Sequence, residues 1–129
     1  MLPQIVLSDD QVMTFKETGY LIIPSGISKS QMVAIDKWTN ELLRLPEESG
    51  KHWVYHEQNQ TKESEKIVSR IENIAPFHNG FRTLANCLKD PISQLMKEDA
   101  ILFKEKIKFK MPGGTGFKPH QDSQAGWDI

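Results

Sequence analysis

His120 and Asp122 stand one residue apart, directly after the glycine-rich stretch Pro112-Gly113-Gly114-Thr115-Gly116. In extended backbone, residues i and i+2 point to the same side. An imidazole nitrogen and a carboxylate oxygen at this spacing can therefore grip one ion. That donor pair suits ferrous iron, which non-haem oxygenases hold with two histidines and one carboxylate, leaving open positions for reactants. A second reading stands beside the first: His-x-Asp is common by chance, and the pair also describes a hydrogen-bonded couple on a surface. The glycines let the backbone take positive φ and approach another group closely.

Other residues are weaker candidates. Lys106 and Lys108 can attract a carboxylate or phosphonate, or form a solvated lysine face. Gln121 points away from the pair in a regular strand, but at a strand end it can turn toward a co-substrate. Trp127 can wall a pocket or be an ordinary aromatic. Arg70 and Glu72 read as a structural pair, and His52, His56 and His78 as surface or packing residues. No Ser-His-Asp order, phosphate-loop pattern or zinc spacing competes.

The elements that must position these residues follow from pattern. Ser8-Asp9-Asp10-Gln11 is a capping box opening a helix that Gly19 closes. Tyr20–Ile23 is expected as a short buried strand ended by Pro24. Ser28 or Ser30 opens a second helix with Met32, Ile35, Trp38, Leu42 and Leu45 as its apolar stripe, stopped by Pro46. From 47 to 66 the chain is polar and without apolar periodicity, expected as a solvated loop that Trp53, Val54 and Tyr55 either pin to the domain or open with a short strand. Alternation over 67–74 suggests a strand. Gly80 to Lys89 reads as a helix, with Pro91 restarting a second short one. Ala100–Phe103 is apolar and β-prone. From 103 to 110, Phe103, Glu105, Ile107 and Phe109 share one strand face and the lysines take the other.

Composition sets the frame. The 129 residues suffice for one domain with a core and are too few for two. A formal net charge of −1 gives no reason to expect nucleic acid or an anionic membrane as partner. Cys87 is the single cysteine, so no internal disulfide can form, which fits a reducing compartment. No basic, apolar leader opens the chain, and no apolar run approaches the ~20 residues of a membrane helix. The expectation is a cytoplasmic α+β protein, helices first and strands gathering late.

Two stretches resemble a known family. Phe15-Lys16-Glu17-Thr18-Gly19-Tyr20-Leu21-Ile22-Ile23-Pro24 is similar to the opening of the phytanoyl-CoA dioxygenase family. The run from Phe103 through Pro112-Gly113-Gly114, Pro119-His120-Gln121-Asp122 and Gln124-Ala125-Gly126-Trp127 resembles the same family more specifically, in the branch that includes 2-aminoethylphosphonate dioxygenase. The resemblance implies a double-stranded β-helix (jelly roll) behind N-terminal helices, Fe(II) as metal, and 2-oxoglutarate as co-substrate. The reaction would be hydroxylation of a small polar molecule or acyl thioester. It makes His120 and Asp122 metal ligands, Lys108 and Gln121 candidates for 2-oxoglutarate, and Trp127 a candidate substrate wall. Members also carry a later metal-binding His and a cation for the distal carboxylate of 2-oxoglutarate, neither of which has a match here. Only seven residues follow Asp122. The expectation is a single partial domain, 1–129, with the jelly roll incomplete and the chain inactive alone. The alternative is a non-catalytic module that needs a partner to complete its fold.

Overall fold

A computed structural model describes residues 4–120. Helix α1 (Asp9–Thr18) opens at the expected capping box, in which Ser8 accepts from the Gln11 amide and the Gln11 side chain accepts from the Ser8 amide. Gly19 closes it in the left-handed conformation, its N–H bonded to the Phe15 carbonyl. A second capping box, Ser28 with Gln31, opens α2 (Lys29–Leu42). Strand β1 (Trp53–Gln58) and β2 (Lys66–Glu72) form an antiparallel hairpin, α3 (Asn79–Met96) follows, and β3 (Lys106–Lys108) adds to β2. The result is an α+β fold of three helices and one antiparallel sheet in the order β1-β2-β3.

The core forms where α2 and α3 cover one face of this sheet. Leu42, Ile71 and Ile74 are fully buried, with Leu45, Val54, Phe81, Ile107 and Phe109 packed around them. Val54, Ile71 and Ile107 lie opposite one another across the three strands. They thus share a face and bury it together. Their neighbours Tyr55, Arg70 and Lys108 form the next cross-strand row and point to the opposite, helix-free face.

Several elements differ from expectation. Tyr20–Ile23 is not a strand: it has no ladder partner, Tyr20 and Ile22 are 63% and 73% exposed, and the chain turns at Ile23–Gly26. Strand β1 occupies part of the polar stretch expected as loop. Its partner β2 supplies what its own sequence lacks, since strand preference depends on cross-strand packing more than on the backbone. Pro91 does not divide two helices; α3 runs through it. Proline inside a helix forfeits a hydrogen bond and costs about 3 kcal/mol locally. Pro91 is itself the buried residue of α3. Strand β3 is three residues long, and Ala100–Phe103 runs outside the sheet with Ile101, Leu102 and Phe103 exposed. The exposed–half-buried alternation from Lys104 to Lys110 nonetheless follows the expected pattern, lysines outward. Two strands precede α3, so the strands do not gather late. No helix among the described residues is long and apolar enough to cross a membrane.

Candidate active-site arm

The chain leaves β3 and doubles back. The Phe109 amide makes a sheet-type bond to the Ser69 carbonyl, the Gly114 amide bonds to the Met111 carbonyl, and Gly113 sits at φ +84°. Only glycine takes that conformation without penalty, and a side chain there would also overlap the Asn59 amide. Residues 112–120 form an arm with His120 at its described end.

The β1–β2 hairpin holds this arm. Gln60 N–H donates to the Gly113 carbonyl at 2.8 Å. Thr115 donates twice to one oxygen of Glu57, from its amide at 3.0 Å and from its hydroxyl. These bonds hold the Glu57 carboxyl below its ordinary range: the Thr115 hydroxyl bond acts most, then the Thr115 amide, with Lys110 contributing by charge against a small desolvation effect. Asn59, buried at the hairpin turn, accepts from the Thr61 amide and hydroxyl and donates to Glu65.

Beyond Thr115 the arm crosses the lysine row. Phe117 lies against Lys108 and Lys110, whose ammonium nitrogens stand 4.2 and 4.7 Å from its ring centroid. In the row behind them Arg70 stacks 4.0 Å over the Tyr55 ring. The helix-free sheet face thus presents Tyr55, Arg70 and Lys108 side by side with Phe117 against its edge. Arg70 Nε is also 3.0 Å from Glu72 Oε1, an ion pair by distance without hydrogen-bond alignment. The buried Glu72 carboxylate takes Lys104 at 3.0 Å on its other oxygen. The expected Arg70–Glu72 pair is therefore present, extended by Lys104.

His120 is exposed, and its Nδ1 lies 2.7 Å from the Lys118 carbonyl oxygen. A carbonyl only accepts, so Nδ1 is the donor in this bond. Backbone carbonyls fix metal-binding histidines in this manner. Gln121, Asp122 and Trp127 lie outside the described residues. Among the described residues no three His, Cys, Asp or Glu side chains gather as a metal group. The remaining histidines serve packing and pairing. His78 caps α3 at the Phe81 amide and bonds Glu41, His56 pairs with Glu47, and His52 is buried. Cys87 is half-buried. Sequence reasoning missed Glu57 and Asn59, which belong to the stretch expected as free loop. What joins them to the arm, Thr115 for Glu57 and Gly113 for Asn59, stands more than fifty positions away and leaves no local signal.

The phytanoyl-CoA dioxygenase (PhyH) profile matches residues 15–127, and the chain belongs to this family. It is 33% identical over 120 residues to 2-aminoethylphosphonate dioxygenase from uncultured bacterium HF130_AEPn_1, covering 92% of this chain and 45% of that protein. It is 37% identical over 121 residues to methylphosphonate hydroxylase of Gimesia maris, with the same coverage. Dioxygenase lolE1 of Epichloe uncinata is 25% identical over 127 residues, 95% of this chain and 48% of that protein. The chain thus spans about half the length of these relatives. No solved structure gives a significant match.

Proposed function

We propose that this chain carries the first part of the active site of an Fe(II)- and 2-oxoglutarate-dependent dioxygenase acting on a small anionic molecule of the phosphonate type. One observation carries the reading: a His-bearing arm, in a chain of the PhyH family, is fastened to a sheet face lined with cations. The printed activities of two relatives, on 2-aminoethylphosphonate and methylphosphonate, favour a phosphonate over an acyl thioester.

The donor set fits the metal. The Lys118 carbonyl orients the His120 ring, and Asp122 follows at the spacing that lets a carboxylate share the ion. When bound, Fe(II) with 2-oxoglutarate supplies hydroxylation: R–H, O₂ and 2-oxoglutarate become R–OH, succinate and CO₂. The chain's residues bind and orient. Lys108, with Lys106 beside it, draws in the negative charge of substrate or 2-oxoglutarate, and Arg70 stiffens the same face through Tyr55. Gln121 donates to 2-oxoglutarate, and Trp127 closes the substrate side and excludes water. The sheet β1-β2-β3 opens a jelly roll, residues 1–129 form one part of a single domain, and the protein acts on its small molecule in the cytoplasm.

The test uses a protein that contains this chain at the length of its relatives. Succinate release from 2-oxoglutarate should require Fe(II), respond to a phosphonate, and disappear in the His120→Ala, Asp122→Ala double variant. Undiminished release by that variant refutes the assignment.

A second reading has its own observation. A groove of about 690 Å³ between α3 and residues 100–107 exposes Ile92, Ile101, Leu102 and Phe103. Contiguous apolar surface of this kind marks an interaction site. On this reading the 129-residue chain is a non-catalytic module completed by a partner. Sedimentation of the isolated chain as a stable monomer with no partner in its expression host would contradict it.

A further inference from the structure

The geometry points to Arg70 and Lys108 as the seat of the phosphonate group itself: the Arg70 fork takes two of its oxygens and the Lys108 ammonium takes the third. This rests on the phosphonate reading above and deepens it by naming the residues that select the head group. Arg70 and Lys108 stand opposite each other in the β2–β3 register. The Phe109 amide bonds the Ser69 carbonyl, so 69–109 is a bonded pair and 70–108 the adjacent unbonded one. Unbonded partners stand closest, with Cα atoms about 4.5 Å apart and side chains on one face.

Like charges directly opposite each other destabilise a sheet. An anion held between them removes that cost. Glu72, in the next row of the same face, is buried and shared: Arg70 Nε stands 3.0 Å from one oxygen and Lys104 Nζ 3.0 Å from the other. Lys106 stands opposite Glu72 across the strands, and Lys110 follows on the same side as Lys108. Glu57, toward the arm, is taken up by Thr115. The face therefore keeps an excess of positive charge, although the chain as a whole carries −1.

Both cations are held ready for a ligand. The Arg70 guanidinium stacks 4.0 Å over the Tyr55 ring, and its side chain is 34% exposed. Its Nε is buried on the Glu72 side, while neither Nη atom has a protein partner among the described residues. Lys108 Nζ rests 4.2 Å from the Phe117 ring centroid. Cations ordered in advance lose little freedom on binding. A planar fork matches two oxygens of a tetrahedral head group, and a compact ammonium takes another. A carboxylate has only two oxygens and satisfies the fork alone. The pair thus favours a three-oxygen dianion, which separates a phosphonate substrate from the carboxylates of 2-oxoglutarate.

The experiment titrates the full 129-residue chain, kept metal-free with a chelator, with dianionic methylphosphonate and in parallel with 2-oxoglutarate and acetate. Carbon-13 resonances of Arg70 Cζ and Lys108 Cε report contact, and Ile71 amide protection reports the fold. Methylphosphonate should shift both resonances and bind more tightly than either carboxylate. Arg70→Lys keeps the charge and loses the fork; Lys108→Met keeps the stem and loses the charge. Each should weaken methylphosphonate binding about tenfold. Lys37→Met on α2, 75% exposed, should leave it unchanged. If Arg70→Lys loosens the fold, the exposed Lys108 decides through its own variant. Unchanged methylphosphonate affinity in Lys108→Met, or in a folded Arg70→Lys, would overturn this seat and leave the phosphonate reading standing. Tighter binding of 2-oxoglutarate, lost in both variants, would give the pair to the co-substrate and overturn the seat. Equal affinity for acetate and methylphosphonate would mean diffuse attraction by charge and overturn it as well. No shift from any of the three anions, with Ile71 protected, would overturn the seat together with the cation-lined face on which the phosphonate reading depends.

Discussion

The Trp38 indole lies against the backbone of Gly80, in the space a Gly80 side chain would fill. This contact joins α2 to α3. Phe81 meets the same indole edge-on at 5.8 Å, and His78 stands 6.1 Å from it. Three aromatic rings thus close the helix pair above the sheet, and the first turn of α3 is where backbone must approach a ring most closely. Trp38 packs the two helices together.

Gly80→Ala should therefore destabilise the fold, although alanine is the better helix former. Helix propensity favours alanine by about 1 kcal/mol. Overpacking against the rigid indole costs typically 1–3 kcal/mol. The expected net loss is about 1 kcal/mol, with a visible near-UV change at Trp38. A thermal melt in which G80A gains stability contradicts the contact.

Leu42 and Ile71 face each other at the centre of the core, both essentially without solvent exposure. Truncating either to alanine should cost about 2–5 kcal/mol, whereas Met13→Ala on α1, more than half exposed, should stay within about 0.5 kcal/mol. Urea titrations of the three variants separate the outcomes. A loss under 1 kcal/mol at Ile71 would mean that the sheet does not pack on the helices as described.

Legibility of this fold in the sequence depended on whether a signal was local. The capping boxes at Ser8–Gln11 and Ser28–Gln31 satisfy their own amides within one turn, so four residues suffice to announce each helix start. The outward lysines around β3 announce its face because alternation is also local. Strand β1 is legible only in its first half, Trp53 to Tyr55: His56, Glu57 and Gln58 resemble loop, and their strand state comes from pairing with Val68, Ile67 and Lys66. Tyr20–Ile23 shows the converse, a β-prone run that finds no partner. The same division holds at the candidate site. His120 was visible through its glycine turn and spacing, whereas Glu57 and Asn59 are recognisable only once folding has brought them to Gly113 and Thr115. Pro91 suits the first position of a new helix by local preference, whereas α3 runs through it without a break.

His52 is buried, with no hydrogen-bond partner for either ring nitrogen among the described residues. An unsatisfied buried polar group costs about 1–3 kcal/mol. Replacement by an apolar side chain of similar size removes that cost. His52→Leu should be neutral to stabilising, by up to about 2 kcal/mol. A clear fall in the urea midpoint would show that the imidazole makes an essential bond and would place a polar partner beside it.

The Glu57–Thr115 anchor should be sensitive to acid. Two donor bonds to the charged carboxylate keep its folded-state pKa below the ordinary value of 4.5. A carboxyl whose pKa is depressed by folding contributes stability that is fully present above the unfolded value. That contribution falls as pH drops toward the folded value and is gone below it. At neutral pH the anchor is therefore intact, and small changes around pH 7 should not move it. In the acid range, Thr115 amide protection should decline after correction for intrinsic exchange, while the buried Ile71 amide keeps its protection. Glu57→Gln retains an acceptor without the charge, so its weaker bond should show no such decline over the same range. Carboxylates elsewhere also titrate there, and the comparison with E57Q isolates this one. Parallel acid profiles for parent and E57Q at Thr115 would mean that the arm is held by something other than the Glu57 charge.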